Sequence, residues 1–159
     1  MLKHRQGSKN NKVIVLTTQL EEKEEKILKI LERLSKENCK GISIIVEGKN
    51  DTEALRVLGI KGKLIEAKTA GKSLLEVVSQ VERCNTQEVI LLLDFDRRGK
   101  ESTKRLKQYL EKTQIKPNQF FWEELISIVG REVKDIEGLS SYMTTLRKKI
   151  TNTNESKLS

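Results

Sequence analysis

The stretch Leu91-Leu-Leu-Asp94-Phe-Asp96-Arg-Arg-Gly99 is an apolar run that ends abruptly in carboxylates. Upstream, Ile44-Ile-Val-Glu47-Gly48-Lys-Asn-Asp51 has the same form. A short apolar run without polar alternation is typical of a strand that is covered on both faces. The sequence therefore predicts two buried strands, each with acidic residues at its carboxyl end.

Apolar residues at helical spacing fill most of the chain between and beyond these strands. Ile27, Leu31 and Leu34 are one such set, and Ser73 followed by Glu76 is a capping-box sequence that opens a helix. The predicted helices cover residues 20–35, 51–58, 99–112, 117–130 and 139–150 and one stretch that begins at Ser73; the predicted strands cover 42–46, 64–65 and 89–93, with further short strands considered at 13–16 and 133–136.

Strands that alternate with helices of this length predict an α/β fold with a mostly parallel central sheet, helices on both faces, and helical N- and C-terminal extensions. We expect a basic flexible arm over residues 1–19, a single domain over 20–150 with its core at 41–139, and a disordered tail over 151–159. Ligands of such sheets gather outside the carboxyl ends of the strands, which is where Glu47 and Asp94 fall.

Composition narrows the functional classes. The chain has 159 residues and a net charge of +8, which favours a polyanionic partner. Its single histidine, His4, nearly excludes histidine-dependent triads and zinc sites. No apolar segment approaches the ~20 residues of a membrane span, so we expect no membrane association. Cys39 and Cys84 lack a CxxC spacing and predict a reduced, cytoplasmic protein, with a disulfide between them as the less favoured alternative.

The acids predict a metal site. Asp94 and Asp96 are two residues apart, so an extended segment would aim both side chains the same way. If the two strands are neighbours, Glu47 converges on them. Carboxylates gathered without partners repel each other, and a divalent cation such as Mg²⁺ relieves that repulsion.

Each of these motifs also has a purely structural interpretation. Asp51 could cap the helix that follows it. Gly48 and Gly99 could be ordinary turn glycines. Lys72 lies in Thr69-Ala-Gly-Lys-Ser73, which lacks the full phosphate-loop spacing and is better explained as a loop with a helix cap. Phe120, Phe121 and Trp122 favour core packing over base stacking.

Together the two acidic stretches resemble the Toprim domain, the catalytic module of DnaG-type primases, topoisomerases, OLD-family nucleases, RecR proteins and ribonucleases that mature ribosomal RNA. The segment Glu47-Gly48-Lys49-Asn50-Asp51 is similar to the first motif of the family, Glu-Gly followed by Asp. The segment Asp94-Phe95-Asp96-Arg97-Arg98-Gly99 is similar to its Asp-x-Asp followed by Gly. The resemblance covers residues 41–139 and is greatest to small stand-alone Toprim proteins of archaea, which the segments 121–125 and 133–138 also resemble.

This resemblance implies a Rossmann-like fold and magnesium-dependent chemistry on nucleic-acid phosphodiester bonds, with Mn²⁺ as an alternative ion. It implies that Glu47 is the general acid/base or a metal ligand, that Asp94 and Asp96 bind the metal, and that Asp51, Gly48 and Gly99 support the site. Glu137 would be a late additional carboxylate, although a solvated charge before a glycine is the simpler interpretation.

The cations Lys49, Arg97 and Arg98 are candidates for phosphate contacts, with charge balance against the acids as the alternative. The sequence lacks the zinc motifs, fused ATPase and strand-passage domains that accompany several Toprim families. Three functions stay open: a nuclease-like enzyme on RNA or DNA, a non-catalytic nucleic-acid-binding subunit of an RNA-processing or DNA-repair complex, and a nucleotide-level phosphotransferase. Protein partners or a homodimer are compatible with each.

Overall fold

A computed structural model of the protein describes residues 2–68 and 73–158, and the side chains of residues 11–68 and 73–155. Helices and strands alternate along the chain between a long first and a long last helix. The elements are α1 (Leu2–Cys39), β1 (Ile44–Val46), α2 (Lys49–Val57), β2 (Leu64–Glu66), α3 (Leu74–Arg83), β3 (Glu88–Leu92), α4 (Arg97–Lys112), β4 (Lys116–Asn118), α5 (Phe120–Val129) and α6 (Ile136–Leu158).

The four strands form one sheet in the order β2-β1-β3-β4, and each neighbouring pair is parallel. Ile44 of β1 is level with Leu64 of β2 and with Ile90 of β3. The two strands predicted to precede the acids are therefore adjacent and in register, which confirms the α/β class.

Both faces of the sheet are buried, and successive strand residues alternate between them. Ile44 and Val46 pack with α1, α2, α5 and α6, whereas Ile45 packs with α3 and α4. This division explains why β1 is apolar at every position and β3 at every position after Glu88, since neither face meets water there. The predicted helices on both faces and the terminal helical extensions are confirmed.

The segment around Pro117 differs from its prediction as a helix start. Residues 116–118 form β4, an edge strand, and the helix begins only at Phe120. Proline has no N–H to donate, so an edge strand tolerates it where a central strand would not. The Asn118 side chain accepts a hydrogen bond from the Phe120 N–H at 2.9 Å and so turns the chain into α5. The strand considered at 133–136 is also absent from the structure, because α6 begins at Ile136.

The arm and the tail predicted at the chain ends are helical instead. Helix α1 runs back to Leu2, which also replaces the short strand considered at 13–16, and α6 runs on to Leu158. Long helices of this kind extend from a packed segment, since adding a residue to an existing helix is much easier than starting one. In α1 that segment includes the fully buried Ile27 and Leu34, and in α6 it includes the buried Ile150.

The described part of the chain contains neither a membrane-crossing helix nor a disulfide. None of its helices combines the length and the apolar character that crossing a bilayer requires. Cys39 is exposed, Cys84 is half-buried, and both are free thiols. The alternative of a Cys39–Cys84 disulfide is therefore wrong.

Candidate functional site

Glu47 and Asp94 meet at the carboxyl edge of the sheet. Val46 is level with Leu92 in the parallel register, so the residues that follow β1 and β3 emerge side by side. The Glu47 Oε2 atom accepts a hydrogen bond from the backbone N–H of Asp94 at 3.3 Å. The strand arrangement thus brings these two predicted site residues together.

Glu47 is held in place by the neighbouring strand β2 as well. Its side chain is only 10% exposed, and its Oε1 lies 3.1 Å from the Nζ of Lys68. The backbone N–H of Lys68 donates to the carbonyl oxygen of Glu47 at 2.7 Å, which extends the pairing of β1 and β2 beyond both strands. The carboxylate is therefore fixed between the ends of β2 and β3.

Asp51 ties the start of α2 to the start of α6. It is buried, and its two carboxylate oxygens accept hydrogen bonds from the backbone N–H groups of Gly48 at 3.1 Å and of Glu137 at 3.0 Å. Asp51 thus supports the first turn of α2, as the structural interpretation of this residue expected, and it does so beneath the Glu47 turn. Its contacts also join two segments that lie 86 residues apart in the chain.

The loop after β3 is fixed by hydrogen bonds to α5 and to the segment that precedes α6. The indole Nε1 of Trp122 donates to the carbonyl oxygen of Leu93 at 2.9 Å. The Phe95 N–H donates to the carbonyl of Lys134 at 2.6 Å. Trp122 is buried in the core, which confirms its predicted packing role. The Asp94 backbone therefore has little freedom to move.

Asp96 and Gly99 shape the turn into α4. The exposed Asp96 caps this helix, since its Oδ1 accepts from the Gly99 N–H at 2.8 Å. A Cβ atom at Gly99 would overlap the carbonyl oxygen of Asp94, so this position requires glycine. Gly48, by contrast, has open space where a Cβ would sit. The close approach at Gly99 presses the helix start against the Asp94 loop.

Five carboxylates interact electrostatically at this edge, and we refer to them as the acid cluster: Glu47, Asp51, Asp94, Asp96 and Asp135. Burial, followed by repulsion from the four other acids, raises the pKa of Asp94 from its ordinary value of 3.8 to about 7. Burial also raises the pKa of Asp51, although the hydrogen bonds from Glu137 and Gly48 oppose that effect. Within the described residues, no hydrogen bond or ion pair reaches the Asp94 carboxylate, so none of the described cations compensates its charge.

The acid cluster fits a hydrated divalent cation better than a cage of protein ligands. No three carboxylate, imidazole or thiol groups of the described residues are placed so that they could hold one ion as they stand. In particular, one carboxylate oxygen of Asp96 is engaged at the start of α4, where it accepts the hydrogen bond from Gly99. Magnesium nevertheless prefers hard oxygen ligands and is commonly held by one or two carboxylates together with water and phosphate. Asp94 and Glu47 are the two neighbouring carboxylates that could hold an ion in this way.

The predicted phosphate-binding cations lie at the rim of the site and are strongly exposed. The side chain of Lys49 is 80% exposed and lies 4.0 Å from Glu53 on its own helix. Arg97 is 92% exposed and pairs with Glu101 at 3.3 Å. Arg98 is exposed beside it. Lys72, the remaining cation singled out from the sequence, lies outside the described residues.

Two residues of the site were missed from the sequence. Lys68 follows a strand too short to be assigned firmly, although its position just beyond β2 is a usable signal. Asp135 caps α6 by accepting from the Gly138 N–H at 2.6 Å, and it acts on the pKa values of both Asp51 and Asp94. Glu137, which was considered instead, has an exposed side chain and reaches the cluster through its backbone N–H.

Comparison with known proteins agrees with this geometry. Residues 42–121 match the family model of the Toprim domain. The chain belongs to the Toprim domain family. The Toprim domain is a Rossmann-like α/β fold, and the match confirms the resemblance seen in the two motifs.

Among curated proteins, the chain is similar to archaeal UPF0292 proteins. It is 38% identical to the one of Methanosarcina acetivorans over 125 residues, which cover 79% of this chain and 85% of the relative. It is also 38% identical to the one of Methanocaldococcus jannaschii over 120 residues, with 75% and 91% covered. Among solved structures, a putative protein from Aquifex aeolicus is 29% identical with a TM-score of 0.56, covering 71% of this chain and 94% of that one.

Membership of the Toprim family associates the chain with metal binding and with nucleic-acid-related functions. The names of the UPF0292 relatives add no substrate.

Proposed function

We propose that the protein is a magnesium-dependent enzyme that acts on phosphodiester bonds of RNA or DNA, with a nuclease-like activity. The observation that carries the proposal is the meeting of Glu47 and Asp94 at the ends of adjacent parallel strands, where no hydrogen bond or ion pair of the described residues reaches the Asp94 carboxylate. Burial and the acids around it raise the pKa of Asp94 to about 7. The ligands of parallel sheets gather at this edge, and a cation bound there would relieve the repulsion among the acids.

In this proposal, the residues of the acid cluster have different roles. Asp94 would hold the ion with Glu47 and Asp96 beside it, and Mn²⁺ could replace Mg²⁺. A bound ion would polarise a phosphoryl oxygen and stabilise the attacking and leaving oxygens. Glu47, held rigidly between two strand ends, would move the proton as general acid or base. Asp51 would hold the turn after Glu47 and the start of α6 together through its two hydrogen bonds.

The charge of the chain supports a polyanionic substrate. The net charge is +8, and Lys49, Arg97 and Arg98 are exposed around the acids. Cations of this kind would contact backbone phosphates without reading sequence, and that would make binding strongly dependent on salt.

Cleavage assays with matched variants test the proposal. Labelled single- and double-stranded RNA and DNA are incubated with the protein in Mg²⁺ or in EDTA. We expect cleavage only with Mg²⁺, and a loss of about 100-fold or more in Glu47→Gln and Asp94→Asn. Glu88→Gln is the control, because this carboxylate lies at the amino end of β3, at the other end of the strands from the acids, and pairs with Lys116 at 3.8 Å. Cleavage that survives both site substitutions would contradict the proposal.

Two observations favour a second function. Lys68 already neutralises Glu47, and no three described groups form a ready metal site. Both findings suit a non-catalytic nucleic-acid-binding subunit of an RNA-processing or DNA-repair complex. That function predicts binding that weakens steeply with salt, no cleavage, and no effect of Glu47→Gln on affinity.

We place this activity in the cytoplasm, where two free cysteines are expected to persist. We also propose that residues 20–150 act as one domain, because α1 and α6 contribute to the same core as the sheet.

A further inference from the structure

Lys68 is the one cation that pairs with the acid cluster among the ion pairs of the described residues. Its Nζ lies 3.1 Å from the Oε1 of Glu47. Two other cations at the rim have partners on their own helices: Lys49 pairs with Glu53 and Arg97 pairs with Glu101. The contact is therefore specific to the position of Lys68 and does not follow from a general excess of positive charge.

The backbone explains why Lys68 reaches Glu47. Pairing between β1 and β2 continues past both strands, since the N–H of Ala67 donates to Val46 at 2.9 Å and that of Lys68 donates to Glu47 at 2.7 Å. Lys68 is thus anchored beside Glu47 by its main chain. Its side chain remains 60% exposed, whereas that of Glu47 is 10% exposed. The ammonium group connects a buried carboxylate to the solvent in front of the site.

We propose that Lys68 is a positioning residue of this site, which holds Glu47 in the metal-free protein and moves to a substrate phosphate when a divalent ion binds. The inference rests on the proposed metal-dependent function. An ammonium and a divalent ion compete for the same carboxylate charge, so each weakens the binding of the other. A flexible, exposed lysine can exchange a carboxylate for a phosphate at little cost, because an ion pair with one exposed partner contributes little net stability.

Magnesium affinity distinguishes this role from a merely structural one. Isothermal titration of the full chain with Mg²⁺, without nucleic acid, is compared for the wild type, Lys68→Gln and Lys61→Gln. Lys61 is exposed and carries the same charge, but it lies before the amino end of β2, whereas Lys68 follows the carboxyl end. We expect Lys68→Gln to bind Mg²⁺ about three- to fivefold more tightly. In this variant the ion no longer has to displace the Lys68–Glu47 ion pair, and the net stability of such a pair corresponds to roughly that fold-change in affinity. Lys61→Gln should stay within about twofold of the wild type.

Nucleic-acid affinity supplies the second readout. The affinity for a hydrolysis-resistant phosphorothioate oligonucleotide is measured by fluorescence anisotropy in the presence of Mg²⁺. Lys68→Gln should weaken this affinity more than Lys61→Gln does. Lys68→Arg should keep the Mg²⁺ affinity and the nucleic-acid affinity near their wild-type values, because arginine keeps the positive charge.

The two ways of failing can be told apart. If the wild type binds Mg²⁺ but Lys68→Gln binds it no more tightly than Lys61→Gln, Lys68 does not compete for Glu47 and the inference is overturned. If the wild type shows no Mg²⁺ binding that Asp94→Asn removes, the proposed function itself fails, and the inference fails with it.

Discussion

Replacing Asp94 by asparagine should stabilise the metal-free protein at alkaline pH. Asparagine has nearly the shape of aspartic acid but never carries the charge that burial and the neighbouring acids oppose. The pKa of Asp94 is raised from 3.8 to about 7, so the folded state resists ionisation that the unfolded chain undergoes freely. The native protein therefore loses stability as the carboxyl group ionises in the unfolded chain, and the substitution removes that loss.

The pKa shift sets the size and the pH range of the effect. A rise from 3.8 to about 7 has an upper limit of about 4 kcal/mol, and because Asp94 is partly exposed, solvent screening reduces the expected gain to about 1–2 kcal/mol. The difference between variant and wild type should be absent below pH 3.8, grow as the pH rises, and level off above about pH 7. For a chain of this length the gain corresponds to a rise in Tm of about 2–8 °C.

Thermal and urea unfolding in EDTA between pH 4 and pH 8.5 would measure this difference. Asp96→Asn is the matched control: it removes a charge from the same loop, but Asp96 is exposed and asparagine caps a helix about as well as aspartate. The control should change the stability by less than about 0.5 kcal/mol. If Asp94→Asn is no more stable than the wild type at pH 8, or if its advantage does not depend on pH, the uncompensated charge inferred for Asp94 does not exist.

Three further substitutions, the first with a control, test the contacts that hold the site in place. Gly99→Ala should cost about 2–3 kcal/mol in urea unfolding, because its methyl group has no room, whereas Gly48→Ala should cost less than about 1 kcal/mol; equal effects would refute the close approach at Gly99. Trp122→Phe should cost about 1–3 kcal/mol, measured by circular dichroism, since it leaves the Leu93 carbonyl without its donor; an unchanged denaturation midpoint would argue against that hydrogen bond. Asp51→Ala should lower the unfolding free energy by about 2 kcal/mol or more, because two backbone N–H groups lose their acceptor, and a neutral result would contradict its role as a link between helices.

Much of the fold could be predicted because its signals are local. The apolar runs of β1 and β3 end at Glu47 and Asp94, and a parallel sheet brings such ends together. The helical spacing of Ile27, Leu31 and Leu34 predicted the part of α1 that packs on the core. These features depend on periodicity, which a single sequence displays directly.

The remainder depends on contacts between distant segments, which periodicity does not display. The cap on α4 engages one oxygen of the Asp96 carboxylate, which the sequence predicted only as a metal ligand. Lys68 reaches Glu47 only because β2 pairs with β1. Asp135 joins the cluster because a loop 41 residues beyond Asp94 folds back over the Phe95 turn, with a hydrogen bond from the Phe95 N–H to Lys134. The lengths of α1 and α6 were also missed, because their polar ends carry no apolar stripe.

Isothermal titration of Mg²⁺ into the wild type and into Asp94→Asn at pH 8 tests most directly whether the acid cluster is a cation site. The wild type should bind the ion and gain thermal stability from it, while the variant, already relieved of the repulsion, should bind it weakly and gain little. If both proteins bind Mg²⁺ equally, or if neither binds it, the carboxylates at the ends of β1 and β3 do not form a magnesium site.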